Sequence, residues 1–437
     1  MKVISDAGRV RPALTPSHRL LIWSLAWISA LTGCTADPGS DDGGSAASAF
    51  VSVTDSSGVE IVTNSGEGWD AESTWRIEPD LQVGELDGPL AFGRISWVAP
   101  APDDGMLVLD AQAHLIHLFD SDGHLVRSFG GEGDGPGEFR RPAAVMPIDG
   151  GRVAVSQGFP PVLHWLTLDG EHQGTTRLPG ARDEAGTRTA GSFGLWQVTP
   201  AGRVFVQAQV IDPGAEDGEM PVVLLEVDPD GASAPDTIAE WTWKAGFGDE
   251  PIRVFEPVHT WMPKSDGIVV LSHGLPYELQ WHDASGGLLR IVRRDLESTP
   301  VSDRHRDRAL AEMREGMESG GAPDDMIEDM LDRVEFEAVL PPVLRVWVSE
   351  PDGRVWVGVH DADRLDSEGG GLFSGWVNAW DVFERDGPYL GRIPAPDGFA
   401  LRVVTQAALY GVWEDELEVP FARRYRVVRP DTRSSGD

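Results

Sequence analysis

The feature that most constrains this chain is a turn-and-strand pair that returns five times. It reads DDGMLVL, DGGRVAV, PAGRVFV, SDGIVVL and PDGRVWV, with glycines at Gly105, Gly151, Gly202, Gly267 and Gly353. Two residues after each glycine stand Leu107, Val153, Val204, Val269 and Val355, and four after it stand Leu109, Val155, Val206, Leu271 and Val357. An apolar residue at every second position sets one face of a pleated strand against a core. Trp196, Trp261 and Trp347 each lie six residues before their glycine, Trp97 lies eight before, and Val145 takes the place in the second copy. Downstream, a further strand ends in another turn: HLFDSDG, WLTLDG, EVDPDG, QWHDASG and VFERDG. Each unit therefore reads as a four-stranded antiparallel meander. Such a sheet cannot bury both faces alone, so copies must stack radially.

A sixth, degenerate copy, residues 400–430, supplies three strands without the Asp-Gly turn. Its missing strand is expected from FVSVTDSSGVEIVTN, residues 50–64, so that the two ends of the chain share one blade and remove its open edge. The expected fold class is all-β: a six-bladed β-propeller of four-stranded antiparallel blades over 50–430, about 60 residues per blade. A helical insertion, residues 303–337, stands between blades 4 and 5. Its apolar positions fall in two pieces, Ala309, Leu310, Met313 and Met317, then Met326, Met330, Leu331 and Val334, broken by Gly320 and Gly321. The glycine-rich stretch GGEGDGPGEFRRP (130–142) is not a dinucleotide fingerprint, because Pro136 holds the third glycine position and a strand, not a helix, follows. It reads as a joint between blades. The run FDSDGHLVRSFGGEGDGPGEFRRPAAVMPIDGGRVAVS resembles the NHL-type repeat, and with DSSGVEIV and LPPVLRVWVSEPDGRVWVGV the chain is similar to bacterial six-bladed β-propeller lipoproteins. That resemblance implies the fold. It does not imply one activity, since propellers host binding, scaffolding and hydrolytic or lyase chemistry.

Basic residues precede a short apolar run, LLIWSLAWISAL (20–31), which leads into Leu31-Thr32-Gly33-Cys34. The run suits a signal peptide better than a bilayer span. The tetrapeptide resembles the bacterial lipobox, so residues 1–33 are expected to be removed and Cys34 lipidated. Cys34 is the single cysteine, which leaves no intrachain disulfide. Residues 34–49 read as a flexible tether and 431–437 as a disordered tail. The expected location is the cell envelope, lipid-anchored at the outer membrane or the cell surface. The formal net charge of −35 becomes about −38 without the signal, which argues against nucleic acid or anionic lipid as a partner.

In a blade of this kind the turns after strands one and three share one rim, and the loops after strand two and between blades share the other. The long excursions, 130–142, 178–192, 208–220, 243–256, 298–342 and 360–375, all fall on the second rim, the side expected to bind. Asp110, Gln157, Gln207, His273, His360 and Asp361 stand at the ends of second strands there. Arg94, Arg140, Arg141, His259, Arg345 and Arg402 stand where inner strands begin, near the channel mouth. Several arginines in so acidic a chain would focus an anionic ligand; alternatively they pair with neighbouring acids. The helical insertion is either a cap on blades 4 and 5 or a cover over the mouth. The recurring tryptophans suit blade packing before sugar stacking. His114 and His117 read as two strand histidines facing opposite sides. The turns at Asp120-Ser121-Asp122 and Asp228-Pro229-Asp230 resemble calcium ligands superficially, and calcium is the one cofactor they could suggest. No H-E-x-x-H, G-x-S-x-G or Cys–His pair is present, and no metal site is assigned. The expected function is a ligand-binding or protein-interaction module for a protein, a small anion or a glycan. The alternative is a propeller enzyme, a metal-assisted hydrolase or lyase on a small anionic or sugar-derived substrate.

Overall fold

The computed structural model describes residues 50–158, 161–177, 189–211, 219–244, 251–361, 364 and 377–430. Cys34, the signal, the tether, the tail and parts of the long excursions after 177, 211, 244 and 361 lie outside the described residues.

Three strands precede the repeats: β1 (Phe50–Ser56), β2 (Val59–Ser65) and β3 (Arg76–Val83). Blade 1 is β4 (Ile95–Pro100), β5 (Met106–Asp110), β6 (Leu115–Phe119) and β7 (Leu125–Gly130). Blade 2 is β8 (Pro142–Ile148), β9 (Arg152–Gln157), β10 (Val162–Thr167) and β11 (His172–Arg177). Blade 3 is β12 (Thr189–Val198), β13 (Val204–Ile211), β14 (Glu219–Val227) and β15 (Asp236–Lys244). After the short β16 (Ile252–Val254), blade 4 is β17 (Thr260–Pro263), β18 (Val269–Ser272), β19 (Glu278–His282) and β20 (Leu288–Arg294). The insertion holds α1 (Asp303–Ser319), α2 (Asp324–Asp332) and β21 (Val334–Phe336). Blade 5 is β22 (Arg345–Val348), β23 (Val355–Val359), β24 (Ala379–Phe383) and β25 (Tyr389–Pro394); blade 6 takes β26 (Phe399–Val404), β27 (Ala408–Glu414) and β28 (Pro420–Val428).

Six apolar cores lie between the six pairs of neighbouring blades, and these hold the ring. Leu107 and Leu109 of blade 1 meet Val153 and Val155 of blade 2, while Met106 and Val108, one residue out of phase, meet Ala408, Tyr410 and Val412 of blade 6. Period-two alternation thus serves two partners, which is why both phases of these strands are apolar. Trp196, Trp261 and Trp347 are buried in these cores and Trp97 is half-buried against one, as blade packing requires, but they are not equivalent. Trp196 and Trp261 face the preceding blade, whereas Trp347 packs with blade 6 and Trp97 against the core shared with blade 2. In blade 5 the reason is the turn: Val348 pairs with Val355, so residues 349–354 form a connection one residue longer than 264–268, where Pro263 pairs with Val269. One residue exchanges the faces of a strand.

The strand that closes the ring is not the expected one. Blade 6 is completed by β3, paired antiparallel to β28 with Ala422 opposite Val83. Residues 50–64 instead form the β1–β2 hairpin, which extends blade 4 outward through parallel pairing of β2 with β20. Between the two, Trp69 donates its backbone N–H to the Leu390 carbonyl of β25 (2.7 Å) and stacks on Trp75 at 5.0 Å. The N-terminal segment therefore belts blades 4, 5 and 6 in turn. Pro79 explains why β3 escapes a reading by pattern: proline interrupts a strand except at a sheet edge, which is where β3 lies.

A buried ionic cluster joins blades 4 and 5 beneath this belt. The fully buried Asp381 accepts from Arg392 Nε (2.7 Å), Arg294 Nη1 (3.0 Å), Tyr277 Oη (2.9 Å) and Tyr389 Oη (3.2 Å). Burial alone would push its carboxyl up, but the Arg392 hydrogen bond and charge, with the Arg294 charge, hold it below the usual range.

The insertion rests on a small core of its own. Ala309 is buried with Val254, against Met313, Val334, Phe336 and Leu344, and β16 pairs in parallel with β21. In α2 the buried residue is Ile327 rather than Met326, which is exposed. Among the described residues no helix is long and apolar enough to cross a membrane.

Candidate functional site at the channel mouth

Inner strands start at the insertion-bearing rim, and several start with a bulge. The ladder passes from Ile95 opposite Asp110 to Trp97 opposite Leu109, leaving Ser96 unpaired. It likewise skips Ala143 in β8 and Arg402 in β26. A bulge re-aims the extra residue away from the regular pleat. Arg402 uses that freedom to donate from Nε to the carbonyl of Ser96, the bulged residue of the next blade (3.1 Å).

Arg345 opens β22 opposite Gly358, with its guanidinium 5.3 Å from the Trp347 ring centroid. A Cβ at Gly358 would lie 2.9 Å from Val377 and 3.0 Å from Trp347, so the glycine leaves room for this packing. Burial lowers the Arg345 pKa. Burial also lowers that of Arg402, to about 10, with the Arg345 charge as the next cause and Glu414 opposing both. The Arg345 charge thus acts on Arg402, and the Glu414 charge acts on it in the opposite sense. Neither is ion-paired with a carboxylate among the described residues, whereas the buried Arg294 and the partly buried Arg392 share Asp381, and the buried Arg424 holds Asp80.

The remaining expected site residues separate from this pair. Arg140 is exposed and pairs with Asp134 through Nε (2.6 Å), and Arg94 and Arg141 are exposed. His259 stacks on Trp241 (4.8 Å, 5°) and meets His273 edge-on at 4.7 Å; burial, then His273, push His259 down to about 4. His360 lies 5.6 Å from His305, which caps α1 through Ser302. Two of the second-strand polar residues brace loops and a third bonds the inner strand of the next blade. Asp110 accepts the N–H groups of Gly93, Gln112 and Ala113 (3.1, 2.9 and 3.1 Å), Gln157 that of Arg140 (3.0 Å), and Gln207 the indole N–H of Trp261 (2.7 Å). Asp361 donates its N–H to Asn378 (2.6 Å). His114 is not on a strand. It lies in the turn before β6 with φ +59° and contacts the Arg140 carbonyl, while His117 bonds Ser128. The Asp120 and Asp228 carboxylates accept from their own turns' N–H groups. Among the described residues no group of three or more His, Cys, Asp or Glu is arranged to hold a metal.

Sequence reasoning missed Ser96, Trp241, His305 and Glu414. Ser96 is visible only once the bulge is known. His305 carried a signal, since Ser302 three positions earlier makes the reciprocal helix cap.

The fold defines the molecule as a six-bladed β-propeller in which Arg345 and Arg402 lie on the inner strands β22 and β26. No protein-family model matches the sequence, and no curated protein matches it. Among solved structures it is similar to a member of the duf4221 family from Bacteroides vulgatus, at 10% identity over 82% of this chain and 99% of that one, TM-score 0.50. It is also similar to a gluconolactonase from Xanthomonas campestris (12% identity, 82% and 98% covered, TM-score 0.39) and virginiamycin B lyase from Staphylococcus aureus (8%, 81% and 100%, TM-score 0.38). At such identities the likeness concerns the fold alone.

Proposed function

We propose that this protein is a lipid-anchored, extracytoplasmic binding module that takes a small anionic ligand at the channel mouth through Arg345 and Arg402. The observation that carries the reading is that Arg345 and Arg402, partly buried cations from neighbouring blades, form no ion pair with a carboxylate among the described residues, Glu414 acting on Arg402 without an ion-pair contact. Like charges in a low-dielectric site destabilise one another, and an anion seated between them reverses the sign of both interactions. The acidic remainder of the surface disfavours anions, so the pair is the locally positive site. The helical insertion supports it from the side, because Leu344, the residue before Arg345, packs into the insertion's core. The anchor reading rests on Cys34 directly after the apolar run.

The test is thermal stabilisation and calorimetry with phosphate, sulfate, citrate and sugar acids, on the parent and on Arg345→Met and Arg402→Met. A ligand at a hundredfold its Kd should stabilise the parent by about 2.7 kcal/mol and neither variant. Without ligand Arg345→Met should be at least as stable as the parent, since a buried charge is removed, whereas Arg402→Met also gives up the bond to the Ser96 carbonyl. Strong destabilisation of both unliganded variants, with anion response retained, would show the arginines to be structural. For the anchor, Cys34→Ser should move the protein from the detergent phase to the soluble fraction; unchanged partition would sink it.

A further inference from the structure

The two most exposed large apolar side chains among the described residues are Leu417 (71%) and Leu86 (62%). The ring-closing strand pair sets their turns side by side. Ala422 of β28 is opposite Val83 of β3, so residues 415–419 and 84–91 leave the same end of adjacent strands, on the insertion-bearing rim. Contact there is close, since a Cβ on Gly84 would lie 3.0 Å from the Phe421 ring. Both turns are built before any partner arrives. Asp415 accepts the N–H groups of Leu417 and Val419, each at 2.9 Å, and Glu418 adopts φ +59°. In the other turn Glu85 donates its N–H to Leu90 O (3.0 Å), and Leu90 packs against the core between blades 6 and 1. Each leucine is thus held outward by a turn anchored from beneath, so little ordering entropy remains to oppose binding.

Six carboxylates lie in or beside the two turns, Glu85, Asp87, Glu414, Asp415, Glu416 and Glu418, with no Lys or Arg in either turn. We infer that Leu86 and Leu417 form a docking site for a protein segment that presents an apolar socket rimmed by lysine or arginine. Charge selects this occupant. A second copy docking through the same patch would set six carboxylates against six, and an anionic bilayer would repel them. A basic partner is instead attracted over a Debye length and guided to the leucines, which bury on contact. The inference does not depend on the arginine pair.

The probe is an amphipathic helical peptide of leucine and lysine only, carrying a photo-crosslinker and a dye, read by fluorescence anisotropy and by mapping of crosslinks. Crosslinks should concentrate in 84–91 and 414–420, and affinity should fall about tenfold from about 50 to 300 mM salt. L86S/L417S should weaken binding at least about tenfold, and E416Q/E418Q should weaken it while flattening the salt dependence. Glu414 is left alone because it faces Arg402. L125S/V126S, on the opposite rim, should bind as the parent does. Both leucines are exposed, so melting temperatures should hold; if L86S/L417S melts early, the glutamine pair decides. Crosslinks spread over the acidic surface, or equal binding by the leucine and the opposite-rim variants, would overturn the inference. So would self-association, or vesicle binding by the Cys34→Ser protein, that is lost in L86S/L417S, because the occupant would then be a copy or a bilayer.

Discussion

Asp381→Asn should be among the most damaging isosteric changes in this protein. The side chain keeps its shape, so no cavity opens, and the whole effect is electrostatic. Among the described residues Asp381 is the single carboxylate ion-paired with Arg294 and Arg392, and the Arg294 side chain is only 5% exposed. Breaking a buried pair by removing one partner costs about 3–5 kcal/mol, because the stranded charge stays desolvated. Here two cations lose their counter-charge, and because the amide keeps only one acceptor oxygen, one of the two tyrosine hydroxyls, on Oδ2 (Tyr277) and Oδ1 (Tyr389) respectively, loses its partner, so the upper half of that range is expected. Arg294 also donates to the Gly66 carbonyl (2.9 Å), so the loss should spread to the belt between β2 and β3. Urea denaturation at neutral pH measures it. A second arm checks the cause: D381N/R392M removes one of the stranded cations and should recover part of the stability lost in D381N. The parent contribution is present above the unfolded carboxyl's pKa, about 3.9, and is lost only as pH falls through the lower folded value. A D381N loss under about 1 kcal/mol, or a double variant worse than the two single losses combined, would refute the argument.

Two histidines should make the fold acid-sensitive in a different window. Burial, then His172 and Arg177, push His164 down to about 4, and His259 has a similar value. Unfolded histidine takes its proton near 6.5. Between about 6.5 and 4 the unfolded chain therefore binds more protons, and stability falls as pH is lowered through that window. Partial solvent access limits this to about 1–2 kcal/mol each. H164F should flatten the slope measured by denaturation at pH 7 and 5; an unchanged slope would remove His164 from the account. For ring closure, V83D buries a charge in the core between blades 6 and 1 and should cost about 3–5 kcal/mol, whereas V51D on the exposed hairpin should stay within about 0.5. Equal melting temperatures for the two would return closure to β1–β2.

The blade count and the rim carrying the excursions were legible because they rest on local chemistry. Asp-Gly turns set where strands end, and parity of direction follows from antiparallel pairing. What period two could not supply was phase. Met106 to Leu109 are buried without exception, so the pattern cannot say which phase faces which neighbour. A single extra residue in the 349–354 turn then reverses Trp347 unseen. The choice of closing strand failed for a related reason. FVSVTDSSGVEIVTN has the stronger hairpin signal, yet a self-contained hairpin satisfies its own inner edge and needs only one more strand. RIEPDLQV has no partner of its own, and its edge must be met by β28.

The site divides along the same line between local and non-local information. Arg140 was legible as an exposed loop residue and finds Asp134 six positions away, a pairing that sequence spacing permits and that neutralises it. Arg345 and Arg402 look the same in the sequence, but their surroundings are made by strands from different blades. Whether an arginine meets an acid or another arginine is then decided by ring order and by one bulge. Without the skip at Arg402 the ladder would carry that side chain in regular alternation with Leu401 and Val403, into one of the apolar cores that flank blade 6. The bulge instead brings it to the Ser96 carbonyl, where the Arg345 charge acts on it. Under the proposed anion-binding function that arrangement is what an anion would complete, and it is held in place because Ser96 is itself displaced from its ladder by the same device one blade on.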